Sequence, residues 1–438
     1  MDNPDRPAMR EPVRGPIEVD LLVVGGGFTG LWTALRAVER DPGRSVLVIE
    51  ADRIAEHASG RNGGICVASL THGAENGRAR WPDEFDAIEA LGNRNWEDLA
   101  ATIDRYGIDC GFVRGPGLAV ATRPHEVDEL EPHAPGFLDA DAVRRHIDSP
   151  TFLAGRVDDE PSAVLDPARL AWGLAAAAEQ GGARIAEASR LVSLERAGGG
   201  VEAVTTSATI RARHVALGTN VFRNPLRRLR LSTVPVYDHV LATEPLSEAQ
   251  LASTNWDPGV NLGDLGNRFH YSRITPDRRI LWGGFDAIYH YGRSIDARHE
   301  DRPETFELLA EHFAETFPQL RDLRFTHRWA GAIDTSTSFC AFYGTALSGR
   351  AAYALGFTGL GVATTRFAAD VVLDLLSGED TERTGLTMVR RPPPPFPPEP
   401  LASLGIGLTR WSLARHDDTG RRNRWLRALD RLGLGFDS

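Results

Sequence analysis

Apolar residues in this chain change their spacing several times, and each change marks an element. Leu21-Leu22-Val23-Val24 is a short unbroken apolar run, the pattern of a parallel strand buried on both faces. The run breaks at Gly25-Gly26-Gly27. Leu31 to Arg40 then has helical spacing, and Ser45 to Ile49 reads as a second buried strand ending in Glu50. Together these make a strand–turn–helix–strand unit of about 30 residues. From Asp86 to Tyr106 the apolar positions Ile88, Leu91, Trp96, Leu99 and Ile103 trace one helical face. Asp166-Pro167 supplies an N-cap and a first-turn proline for a helix through Leu170 to Ala178. Between Ala183 and Leu217 short strands surround Gly198-Gly199-Gly200, a hairpin signal. Thr233 to Tyr291 is strand-rich, with Val234-Pro235-Val236, Phe269 to Ile274 and Ile280 to Phe285. Arg302-Pro303 starts an amphipathic helix ending at Phe317-Pro318, and a last long helix runs from Leu360 to Leu376, stopping at Ser377-Gly378.

The strand-rich stretch interrupts segments of nucleotide-binding type. This predicts an α/β plus α+β chain: a discontinuous Rossmann-like domain (17–85, 155–230 and 330–380) with an inserted antiparallel-sheet substrate domain (86–154 and 231–329). At roughly 150 residues per domain, 438 residues allow two or three. Residues 381–438 form a linker and tail. Pro392-Pro393-Pro394-Pro395-Phe396-Pro397-Pro398 is a stiff spacer, and Trp411, Arg421, Arg422, Arg424, Trp425 and Arg427 follow. The tail reads as an extension packed on its own body, with a membrane-surface or partner helix as the alternative.

Composition narrows the chemistry. The net charge of −11 disfavours nucleic acid as a partner. The chain contains no lysine, so all 49 of its basic residues are arginine. That excludes Schiff-base, phosphate-loop and general-base lysines, and with them pyridoxal-phosphate enzymes and P-loop NTPases. Cys66, Cys110 and Cys340 are too few and too scattered for a disulfide framework or a metal site. The polar stretch from Met1 to Pro16 lacks the apolar region of a signal peptide, and no apolar run reaches a membrane span, so a cytoplasmic protein is expected.

Gly25-Gly26-Gly27-Phe28-Thr29-Gly30 matches GxGxxG. Gly25 permits the tight turn, Gly27 lets the backbone approach a pyrophosphate, and Gly30 lets helix and strand pack closely. The helix N-terminus offers N–H groups to phosphates, and Glu50, twenty residues after Gly30, is placed for a ribose hydroxyl. The motif reads as a dinucleotide site without separating NAD from FAD.

The next segments separate them. His57-Ala58-Ser59-Gly60-Arg61-Asn62-Gly63-Gly64 is a second glycine-rich loop behind the second strand. It resembles the loop over the pyrophosphate and flavin edge in FAD-dependent oxidoreductases of the D-amino-acid oxidase and sarcosine oxidase-like superfamily. Asp166-Pro167, Gly182-Ala183-Arg184-Ile185, His214-Val215-Ala216-Leu217-Gly218-Thr219 and Gly356-Phe357-Thr358-Gly359-Leu360-Gly361 resemble further family segments in the same order. The resemblance implies FAD held by Gly25, Gly27, Phe28, Thr29, Gly30, Glu50 and Ala51, and by Ser59, Gly60, Arg61, Asn62, Gly63 and Gly64. It adds Leu191 or Val192 at the adenine, then Gly218, Gly331, Gly356, Thr358, Gly359, Leu360 and Gly361.

The activity it implies is hydride transfer from the carbon beside nitrogen in a small amine or amino acid to flavin N5, followed by hydrolysis of the imine. Candidates for the substrate pocket are His72, His270, Tyr271, Arg273, Trp282, Tyr289, Tyr291 and Arg328, with no diagnostic motif among them. Sarcosine-oxidase-like members carry a lysine near the flavin that helps oxygen react. Trp282 stands at the matching position here, which points to slow reaction with oxygen and leaves another acceptor open. Ala332 and Arg61 fall where relatives carry tethering cysteine and histidine, so non-covalent FAD is expected. A glycerol-phosphate-like alcohol dehydrogenase and a flavin-binding subunit without turnover remain as alternatives.

Overall fold

The computed structural model describes residues 5–434; residues 1–4 and 435–438, the ends of the polar N-terminal stretch and of the tail, lie outside the described residues. Strand β1 (Ile17–Val24), helix α1 (Phe28–Arg40) and strand β2 (Val46–Ile49) open the fold, followed by the long helix α2 (Phe85–Tyr106). Helix α3 (Pro167–Gln180) leads into β3 (Arg184–Ala186), β4 (Leu191–Ala197), β5 (Gly200–Thr205) and β6 (Thr209–Leu217). Then come β7 (Thr233–Thr243), β8 (His270–Ile274), β9 (Ile280–Gly284), α4 (Pro303–Thr316) and β10 (Phe325–Ser336). The last elements are β11 (Phe342–Ala346), β12 (Ala351–Leu355), α5 (Gly361–Ser377), α6 (Leu401–Thr419) and α7 (Arg424–Arg431).

The first sheet has a parallel centre in the order β3, β2, β1, β6, β12, with β4–β5 added as an antiparallel meander on β6. The apolar run in β1 is continuous because both faces are covered. Leu21 and Val23 join the core under α1, α3 and α5, while Leu22 and Val24 join the core on the other face with Val201, Ala203 and Ile210. Helix α1 buries Leu31, Trp32, Leu35 and Val38 on that first face. Burying each such side chain stabilises the fold by roughly 1.5–3 kcal/mol. As expected, Asp166 caps α3 by accepting from the Arg169 N–H at 3.0 Å.

The second sheet carries β7, β8 and β9 at its centre, with β10 running antiparallel along the length of β7. Strands Gly117–Ala121 and Ala154–Val157 extend it. The sheet therefore crosses two of the expected boundaries, 154/155 and 329/330, since Ala154–Val157 and the whole of β10 pair within it. Strand pairing is non-local, so no local pattern along the chain marks where this sheet ends. One face packs on α4 through Trp282, Phe306, Leu309, Phe313 and Phe317. The other face turns toward the glycine loops of the first sheet.

Candidate active site

Those loops are set by close contacts. Gly25 has φ +110°, and a Cβ there would stand 2.4 Å from Gly218 O. A Cβ at Gly30 would stand 1.9 Å from Gly25 O, so α1 begins hard against the end of β1. At Gly27 a Cβ would come within 2.9 Å of Ser59 Oγ, and that hydroxyl accepts the Phe28 N–H at 2.9 Å. Glu50 is held at the end of β2 by N–H groups of Gly26 (2.6 Å) and Asp52 (2.9 Å). Its carboxylate keeps lone pairs for a further donor.

The second loop is a single helical turn, Ala58–Arg61, followed by Asn62, whose Oδ1 accepts the Gly64 N–H at 2.9 Å. It packs against the second sheet. Trp329 Nε1–H donates to Arg61 O at 2.8 Å, and Arg61 Nη1 donates to Glu300 Oε2 at 2.7 Å and Ala330 O at 3.2 Å. The Tyr271 ring lies against Gly63, and Arg273 Nε–H donates to Gly63 O at 2.5 Å.

Strand alternation then fixes the wall that faces the loop: Val236, Asp238 and Val240 on β7, Tyr271 and Arg273 on β8, Leu281 and Gly283 on β9, and Trp329, Gly331 and Ile333 on β10. Tyr271 Oη–H donates to Asp238 Oδ2 at 2.5 Å. Asp238 and Tyr271 are half-buried and keep part of their surface accessible, as does His72. Burial pushes the Asp238 carboxyl up to about 6, against the pull of the Tyr271 hydrogen bond.

The third part is the entry to α5. Gly359 has nothing within 4 Å of an added Cβ, and Gly361 meets only the Thr365 methyl at 3.8 Å, so the N-terminus of α5 opens onto free space. Such an end attracts negative charge. His72 Nε2 stands 3.1 Å from Thr358 O and carries the ring proton, because a carbonyl only accepts. Burial lowers the His72 pKa, favouring a neutral ring.

Beneath this turn lies Asp334, which accepts N–H groups of Gly356 (2.5 Å) and Phe357 and is pushed up to about 7 by burial. A carboxyl whose folded pKa is raised binds its proton more tightly in the folded state, so stability falls as pH rises from about 4 to about 7. Asp334→Asn should flatten that fall, read as the difference in Tm between the two ends of the window. A slope unchanged from the parent would refute this account of Asp334.

The glycine cradle, the capped Glu50 and the open α5 end suit a dinucleotide with a flat ring system and a negative edge. The family described as FAD dependent oxidoreductase (DAO) matches residues 20–375. The chain belongs to this family. Gamma-glutamylputrescine oxidoreductase of Escherichia coli (strain K12) is 31% identical over 396 residues, covering 87% of this chain and 88% of that protein. A probable oxidoreductase of Haemophilus influenzae is 27% identical over 386 residues, covering 82% and 83%. Among solved structures, glycine oxidase from Geobacillus kaustophilus superposes with a TM-score of 0.70 at 18% identity, covering 83% of this chain and 96% of that one. The FAD cofactor and the Rossmann-like fold expected from the sequence are thereby established.

In this oxidoreductase Gly25–Gly30 and Glu50 would hold the pyrophosphate and ribose, and Ser59–Gly64 with Gly359–Gly361 would border the flavin. Leu191 pairs with Thr205 next to an irregularity in register, and the Val192 side chain is exposed. FAD, when bound, supplies the two-electron acceptor.

Three substrate-pocket expectations are corrected. His270, Trp282 and Arg328 lie on the α4 face of the sheet, opposite the loops. Trp282 packs on Phe313 and Phe317; His270 stacks on Trp282 and bonds Asp264 and His312; Arg328 lies over Phe306 and pairs with Asp301. The period of two decides this, since their neighbours Tyr271, Leu281, Gly283 and Trp329 take the loop side. Trp282 therefore points into the α4 core and away from the glycine loops. Tyr289 hydrogen-bonds Glu399 of the tail, and Tyr291 is exposed. Asp238, Trp329 and Ile333 carry no motif and were missed, since only the β7–β10 register brings them to the loop side; Asp334, also without a motif, reaches the α5 turn through the Gly356 N–H.

Proposed function

We propose that this oxidoreductase oxidises the C–N bond of a small amine that bears no carboxylate beside the nitrogen. The observation that carries the proposal is the polarity of the wall. It offers one carboxylate, Asp238, while its one guanidinium, Arg273, is buried and bound to Gly63 O. An α-carboxylate would be desolvated there without a free cation, whereas an ammonium group meets a complementary charge. Asp238, ionised above about pH 6, draws the amine in through Tyr271 Oη and accepts its proton; the carbon beside nitrogen gives up a hydride, and water converts the resulting imine to a carbonyl compound. The compound named for the Escherichia coli relative fits this class at its putrescine amine, which has no carboxylate beside the nitrogen. Purified enzyme mixed anaerobically with amines and with α-amino acids tests the reading: amines should bleach the flavin absorbance and α-amino acids should not.

We further infer non-covalent FAD and an acceptor other than oxygen, within the cytoplasm. Cys340 is buried, donates to Thr71 O at 3.3 Å and is pushed up to about 12 by burial, so it is an unreactive thiol. Acid precipitation should release the yellow chromophore into the supernatant; a yellow pellet would contradict this. The chain has no lysine, and Arg61, the loop's own cation, is already paired with Glu56 and Glu300. Among the described residues no helix is long and apolar enough to cross a membrane.

A further inference from the structure

Helix α6 is built with its apolar stripe outward. Leu401, Leu404, Leu408 and Trp411 recur three or four residues apart, which places them on one face, and they are 59%, 67%, 41% and 57% exposed. The opposite face holds the helix to the body by polar contacts. Asp417 is buried and accepts from Asn267 N–H (2.8 Å) and Arg268 Nε–H (3.0 Å), and Arg410 pairs with Asp286 at 2.7 Å. A helix placed only to pack would bury its leucines and expose its charges.

Charge distinguishes this face from the rest of the surface. Residues 401–438 contain seven arginines and four aspartates, a net +3, which leaves −14 on the remainder of the chain. On α6, Arg415 continues the stripe and lies over the Trp411 ring at 5.9 Å. Arg424, Arg427 and Arg431 repeat along the exposed side of α7, which is tied to α6 by Trp425 Nε1–H to Thr409 Oγ1 (2.9 Å) and Asn423 Nδ2–H to Ser412 Oγ (2.8 Å). Leu432 follows, 69% exposed.

We propose that α6 and α7 dock this oxidoreductase on an anionic lipid surface, with the leucines and Trp411 entering the interface and the arginines meeting headgroups. The charge pattern selects this occupant. A two-fold contact with a second copy would set one basic tail against another, so the basic, apolar face is matched by a surface of opposite charge rather than by its own copy. Docking leaves the polar face of α6 on the protein, as the Asp417 contacts require.

The test is co-sedimentation of the full-length, FAD-loaded protein with vesicles of phosphatidylcholine alone or mixed with phosphatidylserine, followed by flavin absorbance. Binding is expected only to the mixed vesicles, and should fall steeply with salt. Leu404→Asp with Trp411→Asp should weaken it at least tenfold, and Arg424→Glu with Arg427→Glu by a similar factor, at roughly fivefold per arginine removed. Flavin content and melting temperature report that the variants remain folded. Three results would overturn the proposal: no binding to mixed vesicles, equal binding to both kinds, or a parent dimer in solution that the Leu404/Trp411 variant breaks.

Discussion

Gly30→Val should give a colourless protein. A Cβ at this position would stand 1.9 Å from the carbonyl oxygen of Gly25 and 3.0 Å from its carbon, and both are backbone atoms that no rotamer change can move. Helix α1 would have to shift away from β1, carrying with it the N–H groups at its start and the Phe28–Ser59 contact that ties the two glycine loops together. Overpacking a tight site costs about 1–3 kcal/mol or more, and displacing the N-terminus removes its phosphate contacts as well. Affinity for FAD should therefore fall at least 100-fold, about 2.7 kcal/mol, measured by flavin fluorescence on titration of the stripped protein. Gly385→Ala, with nothing within 4 Å of its added Cβ, is the control and should retain the flavin. Parent-like affinity in Gly30→Val would remove the basis for the cradle.

Asp238→Asn should lower kcat/KM for the amine by about 10- to 100-fold, or about 1.4–2.7 kcal/mol, the range for losing one charged partner in a partly desolvated site. The pH profile separates this from damage to the fold. With its carboxyl pushed up to about 6, Asp238 is neutral below that pH and charged above it, so parent kcat/KM should rise through about pH 6 and the Asn variant should lack that limb. Stability should move the other way. A buried carboxylate with a raised pKa costs the folded state above about pH 4, so Asp238→Asn should melt no lower than the parent at neutral pH. A variant that melts lower and keeps the limb would assign Asp238 to structure alone.

Parts of the site set by local chemistry were legible in the sequence. The Gly25–Gly30 turn, the Asp166 cap and the Gly378 stop of α5, which takes φ +72°, need only neighbouring residues to specify them. Tyr271 and Arg273 entered as pocket candidates only through the family resemblance, with no motif of their own. What was not legible was the side of the sheet. His270 and Trp282 differ from Tyr271 and Leu281 by one residue, and only the packing of α4 decides which set faces the helix. Asp238 and Ile333 reach the site through pairing between strands about ninety residues apart, which no local pattern records.

The wall that carries Tyr271 and Asp238 is proposed to take an amine without an α-carboxylate. Anaerobic mixing of the FAD-loaded enzyme with matched pairs, each an α-amino acid and the amine left when its carboxylate is removed, tests it most directly. The account predicts that the amine of each pair bleaches the flavin absorbance and that its amino acid does not. Bleaching by the amino acids, or by an alcohol such as glycerol phosphate with no response to any amine, would contradict it.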